Sequence, residues 1–570
     1  MNRLTLLNGA WVLANLPRRR SLIRSLREPE RAQQRLLRRY LDTNADTCFG
    51  REHRFASIRS VREFQERVPL RDYDELEPWI DRIRTGERAV LTEARVTHLV
   101  PSSGSAAARK LIPYTETLRS EFDRGIGAWI ADLYLRRPHL LGGAAYWSIT
   151  PPTAPLEAEA SAVPIGFEAD AAYLGGWVRK LVEATFAVRS AVGRVGDMTA
   201  FRYVTLLELL RCPDLALISV WHPSYLSLLF APLRQHWRAL LHDVATGGVN
   251  PPLPISHELR AALRAPADPR RAQRLAELDP SAAQEIWPRL ALISCWGDAH
   301  AAGALRELAR AWPGVELQAK GLLATEAFVT LPSGGQRPVA VESHFFEFLD
   351  AEERPWLTHE LRPGAEYGVV VTTGGGLYRY RMRDRVRVDG FVGRTPSLSF
   401  LGKEDRVSDR RGEKLDDRFV AGALADVSAA AGGAVFAMLA PDTHGGALCY
   451  SLYLECTHPP RADLAELLER ALAANPHYAL CRRLGQLAPL RVFRIAGSGH
   501  HAYIERCRAE GQALGDVKPC ALSDRDGWSE RFAGRYLDGP AGAASQREID
   551  ASQPKYSASS RSASIRPSGL

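Results

Sequence analysis

Through the first hundred residues, apolar positions return at helical spacing. They alternate with arginines over residues 29–41, repeat over 61–68 and stop at Pro69, which predicts helices over both stretches. An earlier apolar stretch, residues 4–16, is interrupted by Asn8, Gly9 and Asn15 and runs into Arg18, Arg19 and Arg20. It is too short to span a membrane, and its basic flank lies on the wrong side for a secretory signal, so it is expected to belong to a helix. Later the period changes: short strand-like runs precede long helical ones, 215–220 before 225–241 and 290–294 before 302–311. That alternation predicts α/β layers. Glycines and prolines cluster over 247–254 and predict a loop, after which 262–278 predicts a further helix. From Gly539 onward the chain is rich in Ser, Ala, Pro and Gly with almost no large apolar side chain, the composition of a disordered tail.

Composition narrows the class. A chain of 570 residues exceeds what one hydrophobic core usually organises, so two or more domains are expected. Its 45% apolar and 25% charged residues are the balance of a folded globular protein, neither disordered nor fibrous. The net charge of +8 arises from 74 basic and 66 acidic side chains that are largely interspersed, with Arg far outnumbering Lys. Such a surplus suits anionic substrates such as ATP without demanding a nucleic acid. Eight scattered cysteines with no CxxC or Cys/His ligand spacing fit a reduced compartment. A cytoplasmic monomer with neither a nucleic-acid nor a membrane partner is expected.

Between apolar flanks, Ser102-Ser103-Gly104-Ser105, followed by Arg109 and Lys110, gathers three hydroxyls, a glycine and two cations. Small residues let backbone N–H groups approach an anion, hydroxyls add donors to phosphate oxygens, and the cations neutralise what remains. Alone, the segment reads more readily as a Ser-rich turn, and it is not a Walker loop, because no Gly-Lys-Ser/Thr opens a helix here. Four motifs follow it: Lys320-Gly-Leu-Leu-Ala-Thr-Glu326, Val369-Val-Val-Thr-Thr-Gly-Gly-Gly-Leu-Tyr-Arg-Tyr-Arg-Met-Arg-Asp384, Gly402-Lys403-Glu404-Asp405 and Gly515-Asp-Val-Lys-Pro519. Each alone has an ordinary reading. Thr325-Glu326 caps a helix; Asp384 is a solvated strand-end carboxylate among Arg379, Arg381, Arg383 and Arg385; Gly402 to Asp405 is an exposed turn; Lys518 is a surface lysine before a proline. His222 and the His500-His501 pair lack a Gly-x-Ser-x-Gly elbow or spaced ligands and are expected to be structural.

In this order the five motifs resemble the layout of the acyl-adenylate-forming (ANL) superfamily, and within it the Gretchen Hagen, or auxin-responsive promoter, family of acyl acid amido synthetases in its bacterial branch. The resemblance is carried by Ser102 to Ser105 with Leu111-Ile-Pro-Tyr-Thr115, Ile218-Ser-Val-Trp-His-Pro223, Lys320 to Glu326, Phe345-Phe-Glu-Phe348, Leu377-Tyr-Arg-Tyr-Arg381 and Asp516-Val-Lys-Pro519, and runs from about Gln33 to Leu522. It implies an α/β fold: a large N-terminal adenylate-forming domain with layered β-sheets and helices over 1–401, a smaller mobile α+β C-terminal domain over 402–535, and a disordered tail over 536–570.

The resemblance also implies roles. Ser102, Ser103, Gly104 and Ser105 close over the ATP phosphates, Thr325 meets the α-phosphate, and Glu326 serves catalysis as the ligand of Mg²⁺. Asp384 accepts hydrogen bonds from the ribose, Tyr378 lines the nucleotide pocket, Gly402 to Asp405 is the inter-domain hinge, and Lys518 is the catalytic lysine. The implied reaction couples a carboxylic acid, through an acyl-adenylate, to an amine such as that of an amino acid. Transfer to a thiol of coenzyme A or a carrier protein, and binding of ATP and acid without turnover, are the alternatives. The acyl pocket is expected around Tyr146, Trp147 and residues 219–224. Two departures stand out: Ser105-Ala-Ala-Ala108 lacks the usual later Gly and hydroxyl residues, and Arg383 stands before Asp384 where the family commonly has Gly.

Overall fold

The computed structural model describes residues 2–101, 110–148, 161–166, 183–298, 301–404, 407–510, 512, 517 and 520–537. Its N-terminal apolar stretch opens the 23-residue helix Arg3–Ser25, capped by the Asn2 side chain, which accepts from the Leu4 and Thr5 N–H groups. The polar interruptions are docking contacts. Asn8 is fully buried and donates to the carbonyls of Leu141 and Gly143, which pins this helix beside the helix Glu116–Arg136. No helix among the described residues is long and apolar enough to cross a membrane.

The predicted helices over 29–41 and 61–68 are present as Pro29–Thr43 and Val61–Arg67. Two longer expectations are divided by proline. The run over 262–278 folds as His257–Leu263 and Pro269–Ala276, with Pro266 between them. The run over 225–241 folds as Pro223–Phe230 and Leu233–Thr246, parted at Pro232. In each case proline, lacking an N–H and restricting the residue before it, outweighs the apolar period.

The α/β layers form around two sheets. Strands Ala144–Trp147, Leu215–Ser219, Leu292–Cys295 and Glu316–Ala319 lie side by side in chain order, all parallel. Every residue of the two central strands is buried, as expected where helices cover both faces. The second sheet is antiparallel, in the order Thr395–Lys403, Tyr380–Val392, Glu366–Thr372, Phe345–Leu349, Pro355–Leu357. Beyond it, Ala434–His444, Ala447–Cys456, Arg491–Ile495 and Gly534–Tyr536 make a mixed four-stranded sheet. The buried apolar side chains fall into four clusters, two drawn from residues up to Leu398 and two from Leu415 onward.

Candidate active site

Parallel α/β sheets offer ligands a crevice at the carboxyl ends of their strands. Here those ends carry Trp147, Ser219, Trp221, Cys295, Trp296 and Lys320. The Trp296 N–H donates to the Trp221 carbonyl (2.8 Å), and the Lys320 N–H to that of Cys295 (2.9 Å), so the backbone leaving three adjacent strands is stitched together. From this edge the Trp296 ring meets Phe400 edge-on at 5.4 Å, and Asp298 accepts from the Phe400 N–H at 3.0 Å while pairing with Arg337. The parallel sheet therefore abuts the strand Thr395–Lys403 of the antiparallel one, and the crevice has walls from both.

The Thr325-Glu326 pair follows on the segment that leaves this rim, five residues beyond Lys320. No helix follows it. Ala324 donates to the Ala327 carbonyl, and Leu323 bridges Phe328, so the pair sits at the tip of a tight turn with both side chains half-buried. The helix-cap reading is thereby removed. The Glu326 carboxylate has no ion-pair partner among the described residues, so both oxygens are available to a ligand.

The turn Thr373 to Leu377 closes the opposite side, held by Thr373 N–H donating to the Leu377 carbonyl and Gly376 N–H to that of Thr373. Gly376 has φ +95°, and a Cβ there would stand 2.7 Å from that of Leu91, so only glycine fits. Behind both turns runs one buried network. The Gly374 N–H donates to Glu121 Oε2 (2.9 Å), Tyr40 donates to Glu121 Oε1 (2.7 Å), and His344 Nδ1 lies 3.0 Å from Oε2. The His344 Nε2 accepts from the Phe328 N–H (3.0 Å), which fixes the neutral tautomer with the proton on Nδ1, aimed at Glu121. Glu121 and His344 are both fully buried, and together they tie the Thr325-Glu326 turn to the glycine turn.

Asp384 is 2% exposed and its Oδ1 lies 3.2 Å from Lys403 Nζ, its register partner on the neighbouring strand. It is not the solvated carboxylate of the ordinary reading. A bulge explains its inward aim: Arg381 pairs with Val370 and Arg385 with Gly368, so the stretch between gains residues over its partner. Arg383 takes φ +58°, a left-handed conformation, which accounts for glycine being common there. The arginine is retained by a double contact to Asp72, at 3.2 and 2.5 Å. The neighbouring arginines are paired as well, Arg381 with Glu353 and Arg385 with Glu366 and Glu404. Arg379 is buried outright.

Tyr378 requires a correction. It is fully buried, stacked on Phe49 at 4.9 Å with Phe55 edge-on, and its hydroxyl donates to the Leu91 carbonyl at 2.9 Å. With both ring faces in the core it cannot line a nucleotide pocket. His500 packs edge-on against Phe436 at 5.1 Å, and burial holds its imidazole down at about 4, neutral and structural. Ser102, Ser103, Gly104, Ser105, Asp405, Lys518 and the tail lie outside the described residues. The strand residues Pro101 and Leu111 that flank the serine loop are paired in register.

Glu121, His344 and Lys320 did not emerge from motif reading. Lys320 had a signal, standing in the quoted Lys-Gly-Leu-Leu-Ala-Thr-Glu run. The other two had none, because the contacts that join the two turns are long-range: 223 residues separate Glu121 from His344 and 253 separate it from Gly374.

Three family models match in succession: the GH3 family N-terminal domain over 18–316, its central domain over 338–403 and its C-terminal domain over 419–526. Among curated relatives, the indole-3-acetic acid-amido synthetase GH3.3 of Arabidopsis thaliana is 24% identical over 453 residues, spanning 70% of this chain and 71% of its own. The putative indole-3-acetic acid-amido synthetase GH3.10 of Oryza sativa subsp. japonica is 24% identical over 408 residues, spanning 68% and 80%. Among solved structures, the AtGH3.15 acyl acid amido synthetase in complex with 2,4-DB superposes with a TM-score of 0.76 at 20% identity, over 89% of this chain and 94% of that one. Since the N-terminal model alone spans more than half its length, this chain belongs to the GH3 family.

Proposed function

We propose that this protein is an ATP-dependent ligase that activates a carboxylic acid as an acyl-adenylate and passes the acyl group to an amine, that of an amino acid. The observation that carries the reading is the junction behind the crevice. One buried Glu121–His344 pair suspends both the Thr325-Glu326 turn and the glycine turn, which is the fixed geometry a nucleotide-activating site needs. The amido synthetase relatives support the choice of an amine over other acceptors.

In this reading Ser102, Ser103, Gly104 and Ser105 embrace the ATP phosphates, and Thr325 hydrogen-bonds the α-phosphate. Glu326 suits Mg²⁺: an unpaired, half-buried carboxylate with phosphate oxygens and waters completes the shell that this ion prefers. Bound there, Mg²⁺ supplies neutralising charge to the phosphates. Asp384 accepts from the ribose hydroxyls once Lys403, at the proposed hinge of Gly402 to Asp405, swings away from it. Two bodies, 1–401 and 402–535, turn about that hinge between half-reactions. Lys518 then meets the charge that grows on the α-phosphate as the acid carboxylate attacks and pyrophosphate departs. In the second half-reaction the amine displaces AMP, and no covalent enzyme intermediate is required.

The test is acid-dependent pyrophosphate release from ATP across a broad carboxylate panel, followed by mass spectrometry of products formed with amino acids or with coenzyme A. Acid-dependent release with an amide product is expected. No release with any acid sinks the enzyme reading, and a product formed only with coenzyme A replaces the amide half by thioester formation.

A further inference from the structure

Lys320 is a lysine in an unusual place. It follows the last strand of the parallel sheet, its backbone fixed by the bond to Cys295, and its side chain is half-buried among aromatic rings at the crevice edge. The amine lies 4.8 Å from the centre of the Trp221 ring and 5.9 Å from that of Trp129. It has no carboxylate partner among the described residues. The titratable group that bears on it there is the Cys295 thiol, which burial pushes up to about 12 and keeps neutral. Contact with two ring faces attracts a cation but does not replace the counter-ion that a desolvated ammonium calls for. Burial alone lowers this amine to about 8.

The surroundings are held by hydrogen bonds and ring packing. Trp129 is locked, its indole N–H donating to Gln318 Oε1 (3.2 Å), which also accepts from the Ser294 hydroxyl (3.1 Å). Trp221 is 41% exposed, so one of the two rings beside the amine reaches the protein surface. Two more donors wait at the same strand ends. Ser219 Oγ and Trp147 Nε1, on register-paired residues, are buried without a hydrogen-bond partner among the described residues, and Trp147 packs edge-on against Trp129 at 5.6 Å. Buried donors and a half-buried cation, with no anion beside them among the described residues, specify the missing group by its chemistry.

We propose that Lys320 is the counter-ion for the carboxylate of the acid substrate, its amine steadied by the flanking rings of Trp129 and Trp221. This rests on the ligase reading for the fate of the acid, though not for its binding. Lys320 thereby holds the carboxylate at the rim from which the segment bearing the Thr325-Glu326 turn departs.

Calorimetric titration with benzoate and indole-3-acetate, with and without a non-hydrolysable ATP analogue, tests the assignment, using benzamide and indole-3-acetamide as neutral controls. The wild type is expected to bind the acids and not the amides. Lys320→Met is expected to weaken acid binding by about 10- to 100-fold and leave affinity for the ATP analogue unchanged, while Lys320→Arg keeps most of the acid affinity. Wild-type affinity in Lys320→Met, equal binding of acids and amides, or no binding of either acid to the wild type overturns the proposal. A second measurement needs no variant. Site-resolved acetylation by acetic anhydride should be slowed at Lys320 by the acids and not by the amides, and labelling indifferent to both overturns it. Acid binding without pyrophosphate release sinks the ligase reading and leaves Lys320 standing. Pyrophosphate release with an unchanged acid KM in Lys320→Met does the reverse.

Discussion

Two cations withdrawn from open water, one buried and one half-buried, are treated in opposite ways. Arg379 is 4% exposed and every contact it needs is present: Glu347 takes two of its N–H groups at 2.9 Å each, and the carbonyls of Gln65 and Val68 accept at 2.9 and 2.8 Å. Lys320 has two tryptophan faces and no anion among the described residues. A planar guanidinium with its fork fully engaged fixes structure, here joining the strands Tyr380–Val392 and Phe345–Leu349 to the N-terminal helices. An ammonium left open is a cost the fold bears for a ligand. The difference separates a structural charge from a functional one without recourse to sequence motifs.

The comparison predicts its largest effect at Arg379. Arg379→Leu leaves Glu347 buried and uncompensated and is expected to cost about 3–5 kcal/mol of stability, read from the urea midpoint. Exchanging both partners for apolar residues should recover most of that loss. A cost for the single variant below about 1 kcal/mol, the level of an exposed pair, would break the contrast.

Next in size is a third cation. If Lys518 acts on the transition state and Lys320 on the bound acid, their losses fall on different constants. Lys518→Ala is expected to slow acid-dependent pyrophosphate release by about 10²- to 10³-fold while acid affinity holds. Lys320→Met is expected mainly to raise the acid KM. Identical kinetic signatures for the two variants would merge roles that are here kept apart.

How far these roles were legible in the sequence follows from the range of each interaction. Elements governed by neighbours were readable: the Pro29–Thr43 helix, the strand Leu215–Ser219 and the helix Ala301–Ala311 follow local periodicity. The prolines at 232 and 266 were in plain view, yet a period count averaged over them. Thr325-Glu326 and Asp384 were found as motif positions, and the ordinary readings weighed against them, a helix cap and a solvated carboxylate, give way to a turn and to a carboxylate that is 2% exposed. Tyr378 failed because closeness in sequence to a site residue does not say where a ring packs: it precedes the strand Tyr380–Val392 and turns into the core. Glu121 sits in a helix where a carboxylate usually faces water, and only the fold delivers His344 and Gly374 to it. Lys320 was visible as a letter, while its lack of an anion is a property of space.

Stability supplies the third contrast, opposite in sign to the first. The Lys320 amine is lowered from 10.5 to about 8 by burial, so between those values the unfolded chain binds more protons and the fold gains stability as pH rises. Below pH 8 the protonated amine weighs against folding by its full amount. Lys320→Met removes that burden and is expected to stabilise the protein by about 2 kcal/mol at neutral pH, after allowance for the water that still reaches the group. A destabilised variant would mean that the ammonium is satisfied after all.

The smallest and most specific effect is on the pH dependence of acid binding. A carboxylate substrate is ionised throughout the neutral range, so the group that changes is its receptor. With the free amine at about 8, affinity should be flat from about pH 6 to 7.5 and then fall, approaching about tenfold per pH unit once the amine is mostly neutral. Cys295, pushed up to about 12, stays protonated through this window, and Trp129 and Trp221 do not titrate, so no other described group facing the amine imitates the slope. Lys320→Arg, whose guanidinium keeps its proton, should flatten the profile while retaining affinity, whereas Lys320→Met should flatten it at a uniformly weak level. A wild-type profile that stays level to pH 9.5, or a slope that survives in both variants, would transfer the carboxylate to another cation and leave Lys320 as unpaired as Arg379 is paired.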